Sequence, residues 1–181
     1  TGVQAFGNSR PESLSGAVML ARAPPDLVNR KAAKAVIAPY WREQRLSEND
    51  EQFVLKRVAD ALTREDHRFR MHRQFYRERN NDGMRMASLA GQTSLAKAWS
   101  AVNRNAKDAD SLIAAVDPSL RADAGYVFIR VKRARRANDY KEAARLILTA
   151  PREAAKLVVP DEWWVERRII SRNLLDAGDA R

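Results

Sequence analysis

Few groups in this chain have types and spacings that could do chemistry. His67 and His72 are the only histidines, and five residues apart on a helix they point about 140° from one another. That is too far round to grip one metal ion, and no His-Glu-x-x-His motif occurs; one solvated and one partly packed histidine is the expectation. With no cysteine, disulfides, thiolate zinc sites and cysteine nucleophiles are excluded. No catalytic residue, metal-ligand set or cofactor is therefore read from the sequence. Two patterns remain. Arg70, Arg73 and Arg77 recur at helical spacing, as do Arg130, Arg133 and Arg136, so each trio would form a cationic helix face suited to a polyanion. Trp163 and Trp164 offer flat apolar faces on which a sugar ring can stack, although Trp163 also shares a helical stripe with Ile170 and Leu174, which reads it as core. Glu166 beside Arg167 and Arg168 is expected to make helix-surface pairs, because no second acid stands at a spacing suited to acid-base work.

The elements that must position these residues are helices. The 181 residues include 30 alanines but only seven glycines and seven prolines, a bias toward helix. Apolar and aromatic residues make up 45% of the chain, enough to bury a core, and the length suits one domain with an extension. The 33 Lys plus Arg exceed the 23 Asp plus Glu, giving a net charge of +10, and arginine outnumbers lysine 25 to 8. Many of these guanidiniums can sit in ion pairs between helices, so the excess does not by itself point to nucleic acid. No apolar run approaches the roughly 18 residues that a membrane helix needs, so no integral membrane segment is expected.

Residues 1–25 read as a flexible lead-in and 26–181 as a helical-repeat domain. After Pro24-Pro25, Asp26 caps a helix to about Ala38, which Pro39 ends or kinks. Ser47-x-x-Asp50 and Thr63-x-x-Asp66 are two start signals in which hydroxyl and carboxylate satisfy orphan amides. The first opens a helix with Leu55, Val58, Ala59 and Leu62 on its apolar face, the second a helix carrying Phe69, His72 and Tyr76. Asn80 to Gly83 reads as a break, followed by a helix with Leu95, Ala98, Trp99 and Val102, a turn at Asn103 to Lys107, and Leu112, Ile113 and Val116. A helix with Leu120, Ala124, Val127, Val131 and Ala134 comes next; Tyr126 to Val131 would also suit a strand, but Arg- and Ala-rich flanks favour helix. Asp139-x-x-Glu142 starts a helix with the stripe Tyr140, Ala143, Ala144, Ile147 and Leu148. Pro160-Asp161 starts the last one, which Gly178 closes.

Arg136-Ala137-Asn138-Asp139 and Asp176-Ala177-Gly178-Asp179 place the same kind of turn 40 residues apart. Weaker turns at Asn103 to Lys107 and Thr63 to Asp66 give steps of about 34 to 40, within the range of helical-hairpin arrays. The fold class expected is all-α: an α-α superhelix, a right-handed solenoid of antiparallel helical hairpins. Pro160-Asp161-Glu162-Trp163-Trp164-Val165-Glu166-Arg167-Arg168, followed by Arg172 and Leu174-Leu175-Asp176-Ala177-Gly178-Asp179, resembles the superhelical region of soluble lytic murein transglycosylases. Two upstream blocks resemble it in the same order, Arg45 to Glu51 leading to Ala61-Leu62-Thr63, and Ala137 to Ile147.

The resemblance implies a periplasmic enzyme that cleaves peptidoglycan, in which a U-shaped array of hairpins precedes a lysozyme-like domain. In that family a glutamate followed by serine protonates the glycosidic oxygen between N-acetylmuramic acid and N-acetylglucosamine, and the muramyl 6-hydroxyl closes a 1,6-anhydro ring. Glu12-Ser13 has the dipeptide but lies in the lead-in with no Gly-Leu-Met-Gln stretch following, and reads as coincidence. The expected role is a non-catalytic scaffold whose cationic faces hold the carboxylate-bearing glycan, with cell-wall proteins as further partners. A helical-repeat module that binds proteins, unrelated to cell-wall cleavage, is the alternative. Nucleic-acid binding rests on charge alone and is not expected.

Overall fold

The computed structural model describes residues 14–21 and 30–178. Among them the chain is all-helical, with eleven α-helices, two short 3-10 turns and no strand, and no helix is long and apolar enough to cross a membrane. The helices are α1 (Leu14–Ala21), α2 (Arg30–Glu43), α3 (Glu48–Val58), α4 (Arg64–Tyr76), α5 (Asn80–Met86), α6 (Thr93–Asn103), α7 (Ala109–Ala114), α8 (Ala124–Arg136), α9 (Tyr140–Ile147), α10 (Ala154–Leu157) and α11 (Pro160–Asp176). The chain divides into two compact units, Thr1–Arg70 and Met71–Arg181.

In the first unit α1 packs on α2 and α3. The stretch 1–25 was expected to be a lead-in, yet Leu14–Ala21 is helical, with Ala17 and Val18 buried; the rest of that stretch, with Glu12-Ser13, lies outside the described residues, as does Asp26. Pro39 does not end its helix: α2 runs through it to Glu43. Pro39 costs one amide donor, but Ile37 and Trp41 on either side are both buried and hold the helix to the core. Both capping boxes form. The Asp50 amide donates to Ser47 Oγ at 3.1 Å while the Ser47 amide donates to Asp50 Oδ2 at 3.3 Å. The Thr63 amide donates to Asp66 Oδ2 at 2.7 Å and the Asp66 amide to Thr63 Oγ1 at 3.2 Å. The inward face of α3 is Glu51, Val54 and Val58; of the expected stripe Val58 and Leu62 are buried, Leu55 is half-buried and Ala59 exposed.

In the second unit α8 packs against α6, α9 and α11, and α6 also against α5 and α7. An aromatic cluster contributed by four helices forms the core: Tyr76 of α4 meets Trp99 of α6 at 4.8 Å and Phe128 of α8 at 4.7 Å, and Phe128 meets Trp163 of α11 at 5.1 Å, each edge to face. The Trp163 indole donates to the Tyr76 hydroxyl at 2.9 Å. Asn80 to Gly83 is helical, not a break: α5 begins at Asn80, and Gly83 is there for close approach, since a Cβ would stand 2.7 Å from the Phe75 ring. Gly125 in α8 is pressed in the same way against the Trp99 ring. Tyr126 to Val131 is helix. Of the expected stripe Ala143 and Ile147 are buried, joined by Leu146, while Leu148 falls just beyond α9 and is 82% exposed.

The recurring turn is a left-handed closure. Glu78, Gly91, Asn105 and Asn138 all have φ between 51° and 64°, and the residue after each donates back five positions at 2.9 Å, from Arg79 to Gln74, Gln92 to Ala87, Ala106 to Ala101 and Asp139 to Ala134. These bonds satisfy the orphan carbonyls of a helix end. Gly178, 40 residues after Asn138, has φ 76° and closes α11.

Candidate functional site

Neither histidine is solvated. His67 is buried edge-on to Trp41, ring centres 5.4 Å apart; burial pushes its pKa down, Arg70 pushes the same way, and Asp66 only partly opposes them. His72 is buried in the second unit, its Nε2 2.8 Å from Gln92 Oε1, while Gln92 Nε2 donates to Asp123 Oδ2 at 2.9 Å. Since the amide nitrogen serves the carboxylate, the amide oxygen accepts, and Nε2 carries the histidine proton. Asp123 Oδ1 in turn accepts the Gly125 amide at 2.7 Å, capping α8. The chain of bonds fixes helix ends. Among the described residues no group of three or more His, Asp or Glu is placed to hold a metal ion.

Four of the six arginines proposed for a polyanion are engaged within the protein. Arg70 is 1% exposed and belongs to the core of the first unit: its Nη2 stands 2.7 Å from Glu51 Oε1, and its Nη1 donates to the Trp41 carbonyl at 2.8 Å and the Gln44 carbonyl at 3.0 Å. It caps the end of α2 and cannot present charge to a polymer. Arg130 faces Glu142 at 3.8 Å, and Arg133 holds Asp110 through two bonds at 2.7 and 2.8 Å. Arg136 donates to the Val102 and Asn103 carbonyls and lies 3.6 Å from Glu78. Arg73 is half-buried and Arg77 exposed. The exposed Glu78 also accepts from the buried Lys132, whose Nζ reaches Glu78 Oε1 at 2.7 Å and Asn103 Oδ1 at 3.1 Å. That Lys132 bond, aided by its charge and by Arg136 against a smaller burial effect, holds the Glu78 carboxyl below its usual range. Glu166 was expected on the surface; it is buried and gripped by Arg135 of α8.

The structure separates the two tryptophans. Trp163 is core, as its stripe implied, while Trp164 is 64% exposed. Trp164 lines a groove of about 570 Å³ between α9 and α11, floored by Ile147, Ile170 and Leu174 and edged by Leu148, Arg152 and Arg167. A second depression of about 440 Å³ continues along α11, with Arg168, Arg172 and Leu175. Trp164, Arg167, Ser171 and Leu175 recur along α11 because three- and four-residue steps share one helix face. The sequence signal was the run Trp164 to Leu175 itself, but which side faced outward depended on Trp163 being claimed by Tyr76 and Phe128. Comparison of the chain with known protein families, with curated proteins and with solved structures gives no match.

Proposed function

We propose that the chain is a non-catalytic, superhelical scaffold of a periplasmic soluble lytic murein transglycosylase, in which antiparallel helical hairpins pile into a right-handed solenoid beside a separate catalytic domain. The observation that carries this reading is the 160–179 stretch that resembles the family. Its described part forms a single helix, α11, packed on α8 and α9, and closes at Gly178 with the left-handed turn that Asn138 makes 40 residues earlier. Helices of this kind cannot each bury their apolar stripe alone, and stacking is the economical solution. Its role is to position glycan and cell-wall partners for cleavage of the bond between N-acetylmuramic acid and N-acetylglucosamine to 1,6-anhydromuropeptides. The test is incubation of the purified chain with sacculi at low salt. Co-sedimentation without release of anhydromuropeptides is expected; release by the chain itself would refute a non-catalytic role, and failure to sediment would count against the cell wall.

A further inference from the structure

We propose that the groove between α9 and α11 docks an acidic amphipathic helix of a partner protein. The floor is aliphatic, made by Ile147, Ile170 and Leu174, with Leu148 and Trp164 exposed by 82% and 64% at its lip and Leu175, 62% exposed, in the depression that continues it. A cluster of large apolar side chains left in water on one face marks an interaction surface rather than ordinary scatter. Aliphatic carbons offer nothing to sugar hydroxyls, which would be desolvated there without hydrogen bonds; leucine or phenylalanine side chains would lose nothing by entering. From Trp164 to Leu175 the face runs about 16 Å along α11, the length of three helical turns, which matches anchors at i, i+3 or i+4, i+7 and i+11 on an incoming helix.

The rim selects the charge of that helix. Arg152, Arg167, Arg168 and Arg172 line the two depressions, with Asp176 as the single acid of that lining; among the described residues none of the four arginines stands in an ion pair, in contrast to Arg130, Arg133, Arg135 and Arg136. Four guanidiniums around an apolar trough complement glutamates and aspartates flanking an apolar stripe. A second copy of the chain is disfavoured, because a self-complementary contact would set these arginines against themselves in a chain of net charge +10.

Three of the four tryptophans, Trp41, Trp99 and Trp163, are fully buried, so acrylamide quenching of the whole chain reads Trp164. The probe is a capped synthetic helix of about 18 residues with leucines on one face and glutamates on the other. Saturable protection of Trp164 is expected, together with binding at least about tenfold weaker for a scrambled peptide and for a glutamine-for-glutamate peptide. Labelled-peptide anisotropy should show the same loss with L148S and with R167E, two exposed positions that leave the core intact. Absence of saturable protection, equal binding of the scrambled peptide, or unchanged affinity of both variants would overturn the proposal. So would protection of Trp164 by soluble muropeptides instead of the peptide, or by concentration-dependent dimerisation seen in sedimentation.

Discussion

Replacing Arg70 by methionine keeps an unbranched apolar stem but removes the charge from a place where only 1% of the residue meets water. Two consequences follow. The Glu51 carboxylate, 2% exposed, stays behind in the core without the guanidinium, a situation that costs about 3–5 kcal/mol. The Trp41 and Gln44 carbonyls lose their 2.8 and 3.0 Å donors, but Gln44 is exposed and can turn to water. Removing both charges in Arg70→Met with Glu51→Leu takes the buried carboxylate away and leaves the Trp41 carbonyl without its donor, worth about 1–3 kcal/mol. The double variant should therefore be more stable than Arg70→Met alone, by about 2 kcal/mol. Urea titrations followed by circular dichroism, with the Trp41 indole resonance marking the first unit, measure both. An Arg70→Met variant within about 1 kcal/mol of the parent would behave like a solvated surface arginine, and the buried-pair reasoning would be refuted.

Other expectations are equally direct. Gly125→Ala gains about 1 kcal/mol of helix propensity but drives a methyl into the Trp99 ring, so a net loss of stability by up to about 2 kcal/mol and a perturbed Trp99 signal in near-ultraviolet circular dichroism are expected. Asn138→Gly should be neutral or stabilising and Asn138→Ala destabilising by about 1 kcal/mol in thermal melts, because Asn138 sits at φ 61°. Burial raises the Asp66 pKa, yet the bonds from the Thr63 hydroxyl and amide and from Arg42 outweigh it and leave the folded value lowered. The unfolded chain then binds the proton first, so stability present above about pH 4 is lost as pH falls through the folded pKa. Asp66→Asn should flatten the acid limb of a stability-pH curve.

Local signals in the sequence proved reliable because their physics is local. Ser47 with Asp50, Thr63 with Asp66, and Asp139 under α9 all bond amides three residues away. The helix over Tyr126 to Val131 and the core stripe Leu95, Ala98, Trp99 and Val102 were legible for the same reason, short-range periodicity. Arg70 was not: whether an arginine faces water depends on a carboxylate 19 residues away in sequence. Asn80 to Gly83 looks like a turn by composition, but the chain had already turned at Glu78, a residue with no composition signal for a left-handed φ, held by Lys132 from 54 residues away. Of the groove, Trp164 was visible and its rim of arginines was not, since the pairing of Glu166 with Arg135 rather than with its neighbours could be decided only by packing.

The bond from the Trp163 indole to the Tyr76 hydroxyl joins residues 87 positions apart. On the ribosome, at roughly 5–20 residues per second, those positions emerge about 4–17 s apart. Over the last 35 residues of that interval, about 2–7 s, Tyr76, Trp99 and Phe128 are all made but lack the indole that completes their cluster, so the nascent second unit carries an open greasy seam. Its quality in the cell then depends on the pace of translation and on chaperone cover during those seconds.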